Sequence, residues 1–256
     1  MESETVVGNG RAIAITLARH GARLALVDRD EESLKGTAEI VRSEGSECVE
    51  IVADISSEDA CARIASESLQ ALGHIDVLCN NVGIGDGDSS IGKLDVEAWD
   101  RIHRVNLRGM TLTCKHVLPS MIERRTGSIV SISSIAAEAT TPLIAYSTAK
   151  AGVNALSKSI ASTHARFGIR SNVVMPGLIH TPLGVGSVQR KLGLPVDEIV
   201  EGRNQRVPLG HQMGTGWDVA NAVLFFASPE SRFVSGAVLP VDGAQITQVG
   251  VGVYGS

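Results

Sequence analysis

An α/β fold built on one doubly wound parallel sheet is what this sequence predicts, and three observations carry it. Short apolar, β-branched runs alternate with helical stretches along almost the whole chain. Such alternation implies right-handed crossovers between parallel strands, with helices covering both faces of the sheet. The 256 residues are 43% hydrophobic and 20% charged with no Pro/Ser-rich linker, so a single domain over 1–256 accounts for the chain. Glycines also stand where helical periodicity stops, as at Gly21 and Gly45.

Taken in order, residues 1–10 are poor in apolar side chains before a first helix at Arg11–His20. Only Thr5, Val6 and Val7 favour a strand there. The first strand is therefore expected to be short, over Glu4–Val7, or missing, as though the start lay inside the loop of a longer chain. Its absence would bare the edges of two neighbouring strands. Residues 23–27 form a strand that ends in Asp28, followed by a helix from about Glu31 to Glu44. Strand Cys48–Val52 leads to Asp54, then a helix from about Ser57 to Leu72, strand Ile75–Cys79 and the turn Asn80-Asn81-Val82-Gly83.

A Gly/Asp/Ser loop precedes one long helix, Val96 to about Glu123, that contains Asn106. A buried strand around Ile129, Val130 and Ile132 passes through a small-residue loop into a helix opened by Tyr146. Strand Ile169–Val174 runs to Pro176-Gly177. Residues 178–215 read as irregular, broken by Pro182, Pro195 and Pro208, and helix Trp217–Ala227 with strand Ala237–Val241 completes the core.

Charge and composition narrow the partners. A net charge of -5 without any Lys/Arg run argues against nucleic acid and against an acidic membrane surface. Cys48, Cys61, Cys79 and Cys114 lack metal-ligand spacing, which predicts free thiols in a reducing compartment, hence the cytoplasm, and no metal. No apolar run reaches the ~18 residues of a membrane span, and the start has no signal-peptide core.

The stretch Ser128–Lys150 carries the chemistry. Tyr146 and Lys150 are four apart, hence on one helix face, and a phenol near pKa ~10 is a useful proton carrier at neutral pH only beside a stabilising cation. A solvated helix face has the same spacing. What separates the two readings is context: the helix follows a buried strand ending in Ser133 and Ser134, and open α/β sheets bind ligands at the carboxyl ends of their strands. Gly8-Asn9-Gly10 before a helix can admit a pyrophosphate to the helix's positive end, although a tight turn needs glycine too. Asp28 lies 18 residues beyond Gly10, near the ~20 of an acid that binds adenosine ribose hydroxyls, and equally serves as a cap for the helix from Glu31.

With these pieces in place, the chain resembles the short-chain dehydrogenase/reductase family over nearly its whole length. The matching residues are Gly8-x-Gly10, Asp28, Asp54, Asn80-Asn81-x-Gly83, Asn106, Ser134, Tyr146-x-x-x-Lys150, Pro176-Gly177 and the closing LPVDGA. The resemblance implies a Rossmann-like fold that holds NAD and oxidises a secondary alcohol or reduces a ketone. Asn106, Ser134, Tyr146 and Lys150 would form the catalytic tetrad, with Tyr146 moving the proton, Lys150 lowering its pKa and holding the nicotinamide ribose, Ser134 orienting the substrate oxygen and Asn106 holding a water.

Gly8, Asn9, Gly10, Asp28, Asp54, Asn80, Gly83, Pro176, Gly177, Ile179 and Thr181 would line the cofactor cleft, with Asp54 at the adenine and Ile179 and Thr181 at the carboxamide. Ser133 competes with Ser134, and Arg29 competes with Asp28 by offering a charge to a 2′-phosphate. The family also implies a substrate lid, here 183–209, and a homotetramer with Trp217, Leu224, Phe225 and Phe226 near one contact. One departure stands out: the family's Thr-Gly-x-x-x-Gly-x-Gly would put its Thr and first Gly at Ser3 and Glu4. A dinucleotide-binding protein without activity is the alternative that this departure favours.

Overall fold

The computed structural model describes residues 6–139 and 141–248. In chain order its principal elements are α1 (Asn9–Arg19), β1 (Leu24–Asp28), α2 (Glu31–Ser43), β2 (Cys48–Val52), α3 (Glu58–Leu72), β3 (Val77–Asn80), α4 (Val96–His103), α5 (Met110–Arg124), β4 (Gly127–Ile132) and α6 (Ile144–His164). They continue with β5 (Ile169–Pro176), β6 (Ile179–His180), α7 (Pro182–Leu192), α8 (Val196–Asn204), β7 (Gly214–Thr215), α9 (Gly216–Ala227) and β8 (Val238–Val241). Local chemistry sets the helix starts: Asp30 and Ser57 accept from the backbone N–H of Ser33 and Ala60, filling donors that a helix leaves open.

All strand pairings are parallel, but the main sheet is in two pieces. β1 pairs with β2, and β3-β4-β5-β8 form the larger piece. Val6 and Val7 are not strand, and Glu4 and Thr5 of the expected first strand lie outside the described residues. The facing edges of β1 and β3 instead border one cavity of about 1880 Å³. Helix α1 ties the pieces together. Its Ala14 and Ala18 pack on Leu26 of β1 and on Leu34 and Ala38 of α2. Its Ala12 and Ile13 pack on Val130, Ile132 and Val174 of the larger piece and on Val219 and Val223 of α9. On the other face, Ala65, Val117, Met121 and Ile160 from α3, α5 and α6 cover Ile129 and Ile169. Burial of each such Val or Ile contributes about 1.5–3 kcal/mol.

Two segments differ from the sequence expectation. The helix expected over Val96–Glu123 contains a π-helical turn at Arg104–Gly109, with Asn106 inside it. One wide turn leaves the apolar pattern on either side intact, so periodicity does not reveal it. Residues 178–215 are largely regular, holding α7, α8, β6 and β7. Two of the three prolines start helices rather than break them: Pro182 occupies the first turn of α7 behind Thr181, whose hydroxyl accepts from Gly184 N, and Pro195 is the N-cap of α8, while Pro208 stands in a turn after α8. A proline there gives up an N–H that has no helical partner in any case.

Candidate active site

Strand β4 and helix α6 are locked together by the serine beside the candidate one. Ser133 is buried, and its Oγ donates to the Lys150 carbonyl at 3.0 Å. Successive residues of an extended chain point to opposite sides, so Ser134 turns the other way. Its hydroxyl accepts from Ala136 N at 3.2 Å and reaches the Tyr146 phenol. Burial pushes the Tyr146 phenol above its ordinary range, and the Ser134 hydrogen bond draws it partly back.

Lys150 is 2% exposed and donates from Nζ to the Ile132 carbonyl at 2.8 Å. Burial pulls its pKa down to about 8. Nζ stands 5.7 Å from the centre of the Tyr146 ring. Gly83 lies against this lysine: a Cβ there would meet Nζ at 3.1 Å. Asn106 is fully buried and holds the same loop with both ends of its amide, Oδ1 accepting from Ile84 N and Nδ2 donating to Ile84 O, each at 2.8 Å.

The residue that the sequence did not reveal is Asp88. Leu143, the N-cap of α6, makes no side-chain cap. Asp88 does that work from the loop: its carboxylate accepts from Ala145 N at 3.1 Å and Tyr146 N at 2.8 Å, and from its neighbour Ser89 N at 2.8 Å. An acid at this helix end also matches the positive end of the helix dipole.

Thirteen of the fifteen residues expected at the site line the cavity between β1 and β3; Asn106 and Asp54 do not. Asn106 stands behind it, as described. Asp54 is exposed, and its carboxylate folds back to accept from Ser56 N at 2.8 Å, a bond that holds its pKa below the ordinary value. Asn80 borders the cavity with its side chain tied to α5, Oδ1 accepting from Thr113 Oγ1 and Nδ2 donating to Cys114 Sγ. Asp28 ends β1 and accepts from Asp30 N with Oδ1 at 3.0 Å. Gly177 is tightly packed: a Cβ would come within 2.7 Å of the Asp242 Cβ.

On the same cavity wall α1 presents its N-terminus without a side-chain cap and without an acid in its first turn. Beside it, Asn9 Oδ1 is buried and has no hydrogen-bond partner. Gly10 packs so close to Asn81 that a Cβ would stand 2.7 Å from its Nδ2. Open backbone donors on a glycine-flanked helix end, an orphaned acceptor and a carboxylate at the next strand end suit a phosphate-linked dinucleotide.

Comparison with known proteins gives the same direction. The sequence profile of the family described as enoyl-(acyl carrier protein) reductase matches residues 6–244. The 2-(R)-hydroxypropyl-CoM dehydrogenase of Xanthobacter autotrophicus is 39% identical over 243 residues, covering 93% of this chain and 94% of that protein. Among solved structures, levodione reductase is similar with a TM-score of 0.91 and 30% identity over 94% of this chain and 95% of that one. NAD+-bound xylitol dehydrogenase gives a TM-score of 0.86 at 28% identity, covering 92% and 94%. Gluconate 5-dehydrogenase from Burkholderia cenocepacia, solved with NADP and tartrate, gives 0.84 at 31% identity, covering 94% and 92%. The chain belongs to the short-chain dehydrogenase/reductase family of oxidoreductases.

Proposed function

We propose that this protein is an NAD(H)-dependent oxidoreductase that interconverts a small or medium secondary alcohol and its ketone. The observation that carries the reading is the meeting of the Tyr146 and Ser134 hydroxyls beside buried Lys150, on the wall of a cavity that also takes in the open N-terminus of α1. The bound nicotinamide would supply the hydride acceptor or donor.

In ketone reduction, Tyr146 Oη gives its proton to the carbonyl oxygen while Ser134 Oγ hydrogen-bonds that oxygen and holds it in place. A phenol that burial keeps protonated suits this direction. In alcohol oxidation the phenolate takes the hydroxyl proton, so this direction gains with rising pH. Lys150 is held by Ile132 through one of its three protons, which leaves two for the nicotinamide ribose and the field of its ammonium for the phenolate. The Asn106 amide is committed to Ile84, so a water in the proton path falls to its main-chain carbonyl. Gly8, Asn9 and Gly10 would receive the pyrophosphate and Asp28 the adenosine ribose. Pro176, Gly177, Ile179 and Thr181 would bound the nicotinamide end, with α7 and α8, inside 183–209, as the lid over the substrate.

Asp28 supports NAD over NADP, because its carboxylate would repel a 2′-phosphate. A homotetramer is part of the same proposal. Phe233 is 95% exposed, and Phe225 of α9 and Leu239 of β8 are exposed as well, which leaves apolar surface on these elements for a second copy. A reducing, cytoplasmic setting fits four free thiols. Absorbance of NADH, followed with a panel of secondary alcohols and ketones, tests the activity. Turnover with at least one compound is expected, and no turnover with any of them under NAD or NADP would refute it.

A further inference from the structure

Resting on that reading, we infer that the substrate alcohol carries an oxyanion, a carboxylate, sulfonate or phosphate, and that Arg203 on α8 is its anchor, with Arg206 beside it. Both arginines line the cavity that holds Tyr146. The Arg203 side chain is folded inward: its Nε meets Met213 Sδ at 3.2 Å, and its Nη2 lies 3.5 Å from where a Cβ of Gly184 would stand, over the first turn of α7. That turn begins at Thr181, so the guanidinium sits between the lid helices and the nicotinamide end of the cavity.

Among the described residues no carboxylate comes within 4 Å of Arg203 or Arg206. Acids of the surrounding segments are engaged with other groups: Glu201 accepts from Gln205, Asp218 accepts from Thr215 N and its hydroxyl, and Asp242 accepts from Ala244 N and Ile246 N. The other arginines lining the cavity are held by the protein: Arg190 faces Asp86 at 3.6 Å, Arg23 pairs with Glu47 at 3.0 Å, and Arg11 donates to Thr37 Oγ1 and to the Ser33 carbonyl. Partial desolvation acts against the charged form of Arg203, and the neighbouring Arg206 adds to it.

Arg203 is half-buried and Arg206 exposed, and a guanidinium partly withdrawn from water against a thioether is costly unless something anionic completes it. Its planar donor fork matches carboxylate and phosphate oxygens. The lid is anchored so as to hold that fork in place. Asn204 Oδ1 accepts from Met213 N at 2.9 Å, and Val185, Ile199, Val207 and Met213 pack as one apolar cluster beneath it.

The shared chemistry could also come from the cofactor's own phosphates, so the test has two arms. In the first, kcat/KM is measured with NAD for 3-hydroxybutyrate and 4-hydroxypentanoate and for their methyl esters. The acids should exceed the esters by about 10- to 100-fold, the range of a charge-assisted hydrogen bond. Arg203→Met should erase that preference, and Arg203→Lys should keep part of it. In the second arm, NADH affinity is read by fluorescence titration of the same variants and should be unchanged.

Malonate should also inhibit the wild type competitively with the alcohol, a readout that needs no variant. Esters turned over as well as acids, or malonate without effect, would overturn the inference while leaving the oxidoreductase reading standing. A loss of NADH affinity matching the loss with acids would overturn it too, by assigning Arg203 to the cofactor's phosphates. No turnover of either set, where other secondary alcohols are oxidised, would also overturn the inference, and no turnover of any alcohol or ketone would instead overturn the reading on which it rests.

Discussion

The Asp88 carboxylate accepts hydrogen bonds from the backbone of Tyr146 and of Ala145, across 58 and 57 residues of sequence. The loop after β3 thereby caps the helix that presents the candidate acid/base. Removing such a cap costs about 0.5–2 kcal/mol. Asp88→Ala should lower the melting temperature accordingly and reduce kcat more than it raises KM, because the start of α6 loses its anchor. Asp88→Asn, which keeps an acceptor, should recover part of both. Thermal melting together with steady-state kinetics checks this, and an unchanged kcat in the alanine variant would separate the cap from catalysis.

Lys150 makes stability depend on pH in a defined direction. Burial holds its pKa at about 8 in the folded protein, against an ordinary 10.5. Between those values the unfolded chain binds the proton and the folded protein has released it, so folding gains as pH rises. The contribution is complete above 10.5 and is lost as pH falls through about 8, where the folded state must carry a buried ammonium. The full span is about 3 kcal/mol. Denaturant unfolding of the wild type and Lys150→Met at pH 7 and pH 10.5 should show the wild type gaining relative to the variant. A difference independent of pH would mean that the ammonium is not desolvated.

Asp28 is the selector of the cofactor in the proposed function. Two like charges a few ångströms apart at a surface cleft cost about 1–4 kcal/mol. The wild type should therefore favour NAD over NADP by about tenfold or more in kcat/KM, and Asp28→Ser should narrow the gap. A wild-type preference for NADP would assign the 2′-position to Arg29 instead.

Much of the architecture was legible because its signals are local. Apolar runs such as Ile129–Ile132 announce buried strands, and glycines that stop the helices mark where the strands begin. The shortage of strand-forming residues before Gly8 anticipated a sheet divided between β1 and β3. Tyr146 and Lys150 were legible from their spacing, and Ser134 from the strand that delivers it. The remainder depends on distance or on subtle backbone geometry. Nothing in the Gly/Asp/Ser loop tells that Asp88, rather than Asp86, meets a helix end more than fifty residues away. The π-turn at Asn106 keeps its flanking periodicity, and Pro182 and Pro195 have the same sequence signal whether they end one element or open the next. Asp54 shows the converse case: it was read from its place in the motif, and a nearby N–H at Ser56 captures the side chain outside the cavity.

The central claim is that Tyr146 carries the transferable proton of a nicotinamide-dependent alcohol oxidoreductase, and Tyr146→Phe tests it most directly. The ring and the Lys150 face of α6 remain, while the phenolic Oη is lost. With an alcohol that the wild type oxidises, stopped-flow or steady-state NADH formation is measured beside NADH affinity by fluorescence. The account predicts a fall in kcat of about 10²- to 10⁴-fold with NADH affinity essentially unchanged. A variant that keeps half of the wild-type kcat, or that loses its NADH affinity along with its activity, would contradict it.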